Sequence, residues 1–188
     1  MPRLFIAARL PESLLHELLK AQAVMAAHAR QARLVAQGDL HLTLRFIGDA
    51  DERLSGRIIG WFSSLALPAR EDLLVSLAGF GAFQGRDGEL LYAALEVSAG
   101  LAAFQRRLET GVRQLGVSAE TRPFFPHVTL ARKARLTKPL GTLPLDASWG
   151  TPLPPPAITL YESILTPGGA EYRPLASINS KQKEIPAG

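Results

Sequence analysis

Two hexapeptides of this chain open with the same pattern: "HLTLRF" over His41–Phe46 and "HVTLAR" over His127–Arg132. The chain has only four histidines, and two of them begin these segments. Histidine moves protons near neutral pH. A threonine hydroxyl can donate to a phosphate oxygen, and a nearby arginine can neutralise its charge. Opening a phosphodiester ring needs one group to take a proton from water and another to give one to the departing oxygen. Two histidines on opposite sides of a phosphorus supply both. One His-x-Thr could arise by chance in any alternating strand; two, each followed by Leu with an Arg close behind, make a specific signal.

Strict alternation places His41, Thr43 and Arg45 on one side of a strand and Leu42, Leu44 and Phe46 on the other. In the second copy His127 and Thr129 share a face opposite Val128 and Leu130. Arg132 then falls on the apolar side, so either the strand ends or bulges there, or Arg132 lies outside the site. Candidate phosphate-binding residues are therefore Thr43, Thr129, Arg45 and Arg132. Phe80, Phe83, Phe124 and Phe125 are candidates for stacking on a base, and Phe124 and Phe125 are preferred because both approach His127.

The elements that must position these groups can be read from periodicity. "RLFIAARL" (3–10) predicts a buried strand closed by Pro11. Residues 11–33 carry apolar positions at helical spacing and predict a helix. Alternation predicts a strand over 40–48, and acids followed by an apolar stripe predict a second helix over 50–66. Residues 73–83 and 89–97 read as paired strands joined by "QGRDG", a glycine-containing turn. A third helix spans 100–116, with Leu101, Phe104, Leu108 and Val112 on one face. Prolines make the approach to His127 extended, a proline-containing loop covers 139–156, and strands follow over 157–165 and 170–180. About three helices and seven or eight strands result. Each His-x-Thr strand comes after a helix, which makes a duplicated unit with two-fold pseudosymmetry the simplest reading.

Composition bounds the remainder. The chain has 188 residues, 47% hydrophobic and 20% charged, enough to bury a core without staples. It has no cysteine, which removes disulfides, thiolate metal sites and cysteine nucleophiles. The formal net charge is +4 and the pI about 9.8, with arginine in excess of lysine, which suits a nucleic-acid or nucleotide partner. The N-terminal apolar run is too short for a signal-peptide core, and no stretch approaches a membrane span, so a cytoplasmic protein with no membrane partner is expected. His16 and His28 fall on the first helix without acidic partners at ligand spacing and read as surface residues; no zinc cluster, nucleophile elbow, phosphate-binding loop or dinucleotide fingerprint is present.

The paired motifs and their flanks resemble the two-histidine (2H) phosphoesterases, in particular the bacterial and archaeal RNA 2′,3′-cyclic phosphodiesterases, formerly called 2′-5′ RNA ligases. "RLFIAARLPESL" is similar to the family's opening strand and helix, "GDLHLTLRFIGDAD" to its first motif and "RPFFPHVTLAR" to its second; "GFGAF" and "YESILTPGGAEYRPL" sit where the family has related segments. The resemblance spans nearly the whole chain. It implies an α+β fold: one bilobal, two-fold pseudosymmetric domain over residues 1–188, with antiparallel sheets flanked by helices around a central cleft. It also implies roles. His41 is the proton donor to the departing 3′ oxygen and His127 the proton acceptor that activates water, giving a 2′-phosphate. Thr43 and Thr129 hold the non-bridging oxygens, and Arg45 and Arg132 assist with charge. The expected partner is an RNA or nucleotide 2′,3′-cyclic phosphate end, acted on by a monomer with no cofactor and no metal. The same residues serve 2′-5′ ligation of tRNA halves, the reverse reaction, and a non-catalytic RNA-binding module is the reading from another class. "GELLYAAL" replaces a segment that often carries Trp or Arg in the family, so contacts to base and ribose stay open.

Overall fold

The computed structural model describes residues 2–147, 151–166 and 169–179. Eight strands and three α-helices are described: β1 (Arg3–Arg9), α1 (Glu12–Ala27), β2 (Ala29–Leu34), β3 (His41–Asp49), α2 (Glu52–Ser63), β4 (Val75–Phe83), β5 (Glu89–Val97), α3 (Ala99–Gln114), β6 (His127–Leu136), β7 (Ile158–Thr166) and β8 (Gly169–Ile178). Two helices begin where a side-chain oxygen is available to an unpaired backbone N–H. Asp51 accepts from the Leu54 N–H at 2.7 Å, and Ser98 accepts from the Leu101 N–H at 3.3 Å.

The strands form two antiparallel four-stranded sheets, ordered β3-β1-β7-β8 and β2-β6-β5-β4. β1 reads as a continuous apolar run because it is paired on both sides, with β3 and with β7, and its five central residues are buried. The pseudosymmetry is visible in the connections. A strand–helix–strand unit (β1, α1, β3) recurs as β5, α3, β6, and each unit gains a further strand in its sheet: β4 pairs with β5, and β7 with β1. The strand β2, which leaves α1 of the first unit, joins the sheet of the second. The halves are therefore interlocked, and residues from both sheets and all three helices join one hydrophobic cluster.

The first helix is shorter than its periodicity predicts. It stops at Ala27, and residues 29–34 form β2 rather than a last helical turn. His28, expected on the helix surface, is its cap residue, with its ring hydrogen-bonded to the Val24 carbonyl at 2.9 Å. Tertiary pairing overrides the local pattern here. β2 lies against β6, with Arg33 opposite Arg132 and Gln31 opposite Arg135, and gains ladder hydrogen bonds that a helix end would lack. Gln22 on α1 secures the arrangement. Its amide, 4% exposed, donates to the carbonyls of Val35 at 2.9 Å and Leu130 at 2.7 Å, one just past β2 and one in β6.

Replacing Gln22 with Leu leaves both carbonyls without this donor. The Leu130 carbonyl keeps the Val35 N–H at 2.9 Å, so only the Val35 carbonyl is stranded, and we expect a loss of about 1–2 kcal/mol in urea unfolding.

Candidate active site

Thr43 and Thr129 face the same cavity as the two histidines, and a defect in each strand sets the facing of the residues beyond them. In β3, Thr43 pairs with Ala7 and Arg45 with Ile6, so Leu44 is an extra residue. In β6, Thr129 pairs with Tyr92 and Ala131 with Leu91, so Leu130 is extra in the corresponding place. Each insertion is a β-bulge that turns two successive residues inward: Leu44 and Arg45 are buried, as are Leu130 and Ala131. The next residue, Phe46 or Arg132, then faces the cleft.

Arg45 and Arg132 thus diverge from strict alternation in opposite senses. Arg132 lines the cleft because β6 bulges before it. Arg45 does not line it, which corrects the expectation that it contacts phosphate. It is 6% exposed and ion-paired with Glu109 on α3, and it donates to the carbonyls of Phe46 and Ser118. Glu109 also accepts from the Glu120 N–H at 3.3 Å. Arg45 therefore fastens the end of the first motif to α3 and to the segment that leads into the second.

His41, Thr43, His127, Thr129 and Arg132 line one cavity of about 190 Å³, with Phe5, Phe46, Asp39 and Tyr172 among its other walls. Both imidazoles are oriented in the same way. His41 Nδ1–H donates to the Asp39 carbonyl at 2.7 Å and His127 Nδ1–H to the Phe125 carbonyl at 2.9 Å, in each case two residues upstream. A carbonyl only accepts, so the bond fixes Nδ1 as the protonated nitrogen and leaves Nε2 for proton transfer.

Aromatic rings support each imidazole. Phe5 lies 5.1 Å from the His41 ring and stacks on Tyr161 at 5.2 Å, while Tyr172 meets His41 edge-on at 5.3 Å. Around His127, Phe125 stacks at 5.5 Å, and Phe83 and Tyr92 approach edge-on at 5.8 and 5.7 Å. Tyr92 lies across β4 because residue 81 is glycine; a Cβ there would sit 2.4 Å from its ring. Of the two preferred aromatics, Phe125 is 45% exposed beside His127. Phe124 packs against the core, which corrects its candidacy for stacking. Phe83, weighed at lower preference, is 44% exposed in the same collar. Sequence reasoning missed Phe5, Phe46, Tyr92, Tyr161 and Tyr172. Register alone could have grouped Phe5 with Phe46 and Tyr161, its direct partners on β3 and β7.

Burial is the main influence on His41. It lowers the imidazole pKa to about 4, with Arg132 and His127 adding repulsion and the hydrogen bond to Asp39 opposing both. His41 is consequently neutral at pH 7 in this environment. Asp39 is shifted upward, first by burial and then by the charge of Glu171. Among the described residues, no three His, Cys, Asp or Glu side chains converge as a metal-binding group, and no helix is long and apolar enough to cross a membrane.

Two antiparallel four-stranded sheets with three helices, and one cleft between two His-x-Thr strands, make this the α+β fold of the 2H phosphoesterases. The sequence pattern of the 2′-5′ RNA ligase superfamily matches residues 10–145. The RNA 2′,3′-cyclic phosphodiesterase of Aeropyrum pernix is 29% identical over 159 residues, 79% of this chain and 86% of that protein. A crystal structure of a Thermus thermophilus protein superposes with a TM-score of 0.74 at 27% identity, covering 96% of this chain and 99% of the other. E. coli LigT in its apo form gives 0.72 at 25% identity with the same coverage, and LigT has also been crystallised with 3′-AMP. The chain belongs to the 2′-5′ RNA ligase superfamily.

In NMR titration of the free protein, His41 should change charge near pH 4 rather than 6.5 and move upward when inorganic phosphate is bound; a midpoint at 6.5 contradicts the burial argument. Because the unfolded chain binds that proton at the ordinary pKa, stability should decline as pH falls from 6.5 towards 4, and less so in His41→Asn. Separately, Arg45→Met should destabilise the protein by about 3 kcal/mol, since it strands the Glu109 carboxylate. The double change Arg45→Met with Glu109→Met should recover much of that in urea unfolding.

Proposed function

We propose that this protein hydrolyses RNA 2′,3′-cyclic phosphodiester ends to 2′-phosphates by general acid–base catalysis between His41 and His127, without a metal. The observation that carries the reading is the matched presentation of the imidazoles: one from each sheet, each locked through Nδ1 to a backbone carbonyl, both on one cavity with both threonines. The names of its relatives are in keeping with this substrate.

In this reading the cyclic phosphate lies between the two Nε2 atoms. His127 Nε2 takes a proton from water as the water oxygen attacks phosphorus. The bond from phosphorus to the 3′ oxygen breaks, and His41 Nε2 gives that oxygen its proton, leaving a 3′-hydroxyl and a 2′-phosphate. Thr43 and Thr129 hydroxyls donate to the non-bridging oxygens, where charge accumulates, and Arg132 supplies the compensating positive charge. The role of His41 as acid requires it to be protonated when substrate is present. The entering phosphate anion works in that direction, because it offsets the repulsion from Arg132 and favours the imidazolium. Phe125 and Phe83 offer exposed faces beside His127 for the base of the terminal nucleotide.

An oligoribonucleotide ending in a 2′,3′-cyclic phosphate, incubated with the protein in EDTA, should yield the 2′-phosphate. Alanine at His41 or His127 should lower kcat by about a hundredfold or more, the usual scale for a general acid or base. Near-normal turnover in both variants contradicts the reading. A 3′-phosphate product reverses the leaving-oxygen assignment, and joining of tRNA halves in place of hydrolysis favours ligation.

A further inference from the structure

One strand pair of this chain carries basic residues and no acids. Residues 29–38 and 127–138 contain Arg30, Arg33, Arg132, Lys133, Arg135 and Lys138 and no Asp or Glu, although the chain as a whole has 17 acids. These stretches form β2 and β6 with their exits, and they pair with each other. The inward alanines show which way the arginines point. Ala131 and Ala134 are buried, and the residue after each, Arg132 and Arg135, is exposed. Register places Arg33 opposite Arg132 and Gln31 opposite Arg135, so these four residues share the outer face. Lys133, at φ 52°, is the irregular residue between the two arginines and is ion-paired with Asp87 at 3.6 Å.

A groove runs along this wall. It shares Val35, Asp39, Arg132 and Tyr172 with the histidine cavity and extends outward past Arg33, bounded on the far side by Thr166, Ala170 and Glu171. Arg132 stands at the junction of the two. A free cyclic mononucleotide needs only the inner cavity and the rings beside His127. A polynucleotide must also place its preceding phosphates somewhere, and closely spaced arginines on one strand pair suit a row of them.

We infer that the β2–β6 wall binds the sugar–phosphate backbone of the RNA chain immediately 5′ of its cyclic end, with Arg33 and Arg135 contacting phosphates and Gln31 between them. The inference rests on the function proposed above for the inner cavity and makes the preferred substrate an RNA strand rather than a free cyclic nucleotide.

The test compares a 2′,3′-cyclic mononucleotide with an oligoribonucleotide ending in the same cyclic nucleotide. The proteins are wild type, Arg33→Gln, Arg135→Gln, the double variant, and Arg57→Gln as an exposed control on α2. At low ionic strength the double variant should lose about tenfold in kcat/KM on the oligonucleotide, mostly through KM, and the salt dependence should flatten by about 0.7 per lost contact. Mononucleotide turnover should stay within about twofold, because neither Arg33 nor Arg135 lines the histidine cavity. Equal losses on both substrates, or none on either, overturn the inference. Fluorescence anisotropy with the 2′-phosphate product oligonucleotide reads the wall independently of turnover. If wild type turns over neither substrate yet binds that oligonucleotide in a salt-dependent way that the double variant lacks, the cyclic phosphodiesterase reading fails and the wall stands. Equal binding by wild type and double variant overturns the wall.

Discussion

A strand that carries reactive groups on one face must also hold the protein together with the other. In β3 and β6 that constraint is severe, because the polar face lines a cleft while Leu42, Leu44, Val128 and Leu130 are among the most buried side chains of the core. Strict alternation meets both demands only as far as the threonine. One extra leucine in each strand then re-sets the phase, so that two consecutive residues turn inward before the chain faces the cleft again. Most of what is specific to this site depends on that shift, since it decides which of the neighbouring side chains faces the cleft and which faces a helix.

The two strands use the same shift differently. In β6 the second inward residue is Ala131, which fits the core without compensation, and the cleft receives Arg132. In β3 it is Arg45, which no apolar core could hold alone, and the cleft receives Phe46, 57% exposed. The buried guanidinium takes its charge partner from α3 and two carbonyl acceptors from Phe46 and Ser118. A buried ion pair adds little net stability but is costly to break, so Arg45 serves to fix position. It joins the first motif to the chain segment that ends at Phe125 and His127. The result is a cavity polarised across its pseudo-two-fold axis, with a cation on one side and an exposed ring on the other.

The same polarity sets the protonation of the site. His41 is enclosed by Phe5, Tyr161 and Tyr172 and faces Arg132, and both burial and repulsion disfavour its imidazolium. An anion in the cavity reverses the second effect. The charge of Arg132 and the proton of His41 are therefore linked through whatever lies between them, and an anion there shifts the balance towards the imidazolium.

Local pattern was enough to group the candidate site residues and to outline the fold. His41, Thr43, His127 and Thr129 are grouped by period-two spacing within single strands, a property that needs no partner to be read. The same holds for β3 and α3, whose periodicities are strong, and for β5, marked by its glycine-containing turn; their boundaries fall within a residue or two of those observed. Tertiary structure decided everything that depends on a partner. Residues 29–33 continue a helical pattern, and only pairing with β6 makes them a strand. Arg45 and Arg132 look interchangeable in "HLTLRF" and "HVTLAR", and only bulges, defined by which residues of β1 and β5 lie opposite, send one to the core and the other to the cleft. Phe124 and Phe125 are adjacent and chemically identical, and the packing of the approach to His127 separates them. The aromatic collars draw on strands distant in sequence, so no spacing rule could assemble them. Period-two and period-3.6 patterns report which face of an element is apolar; they carry no information on the register between elements, and at this site register is what assigns each side chain its role.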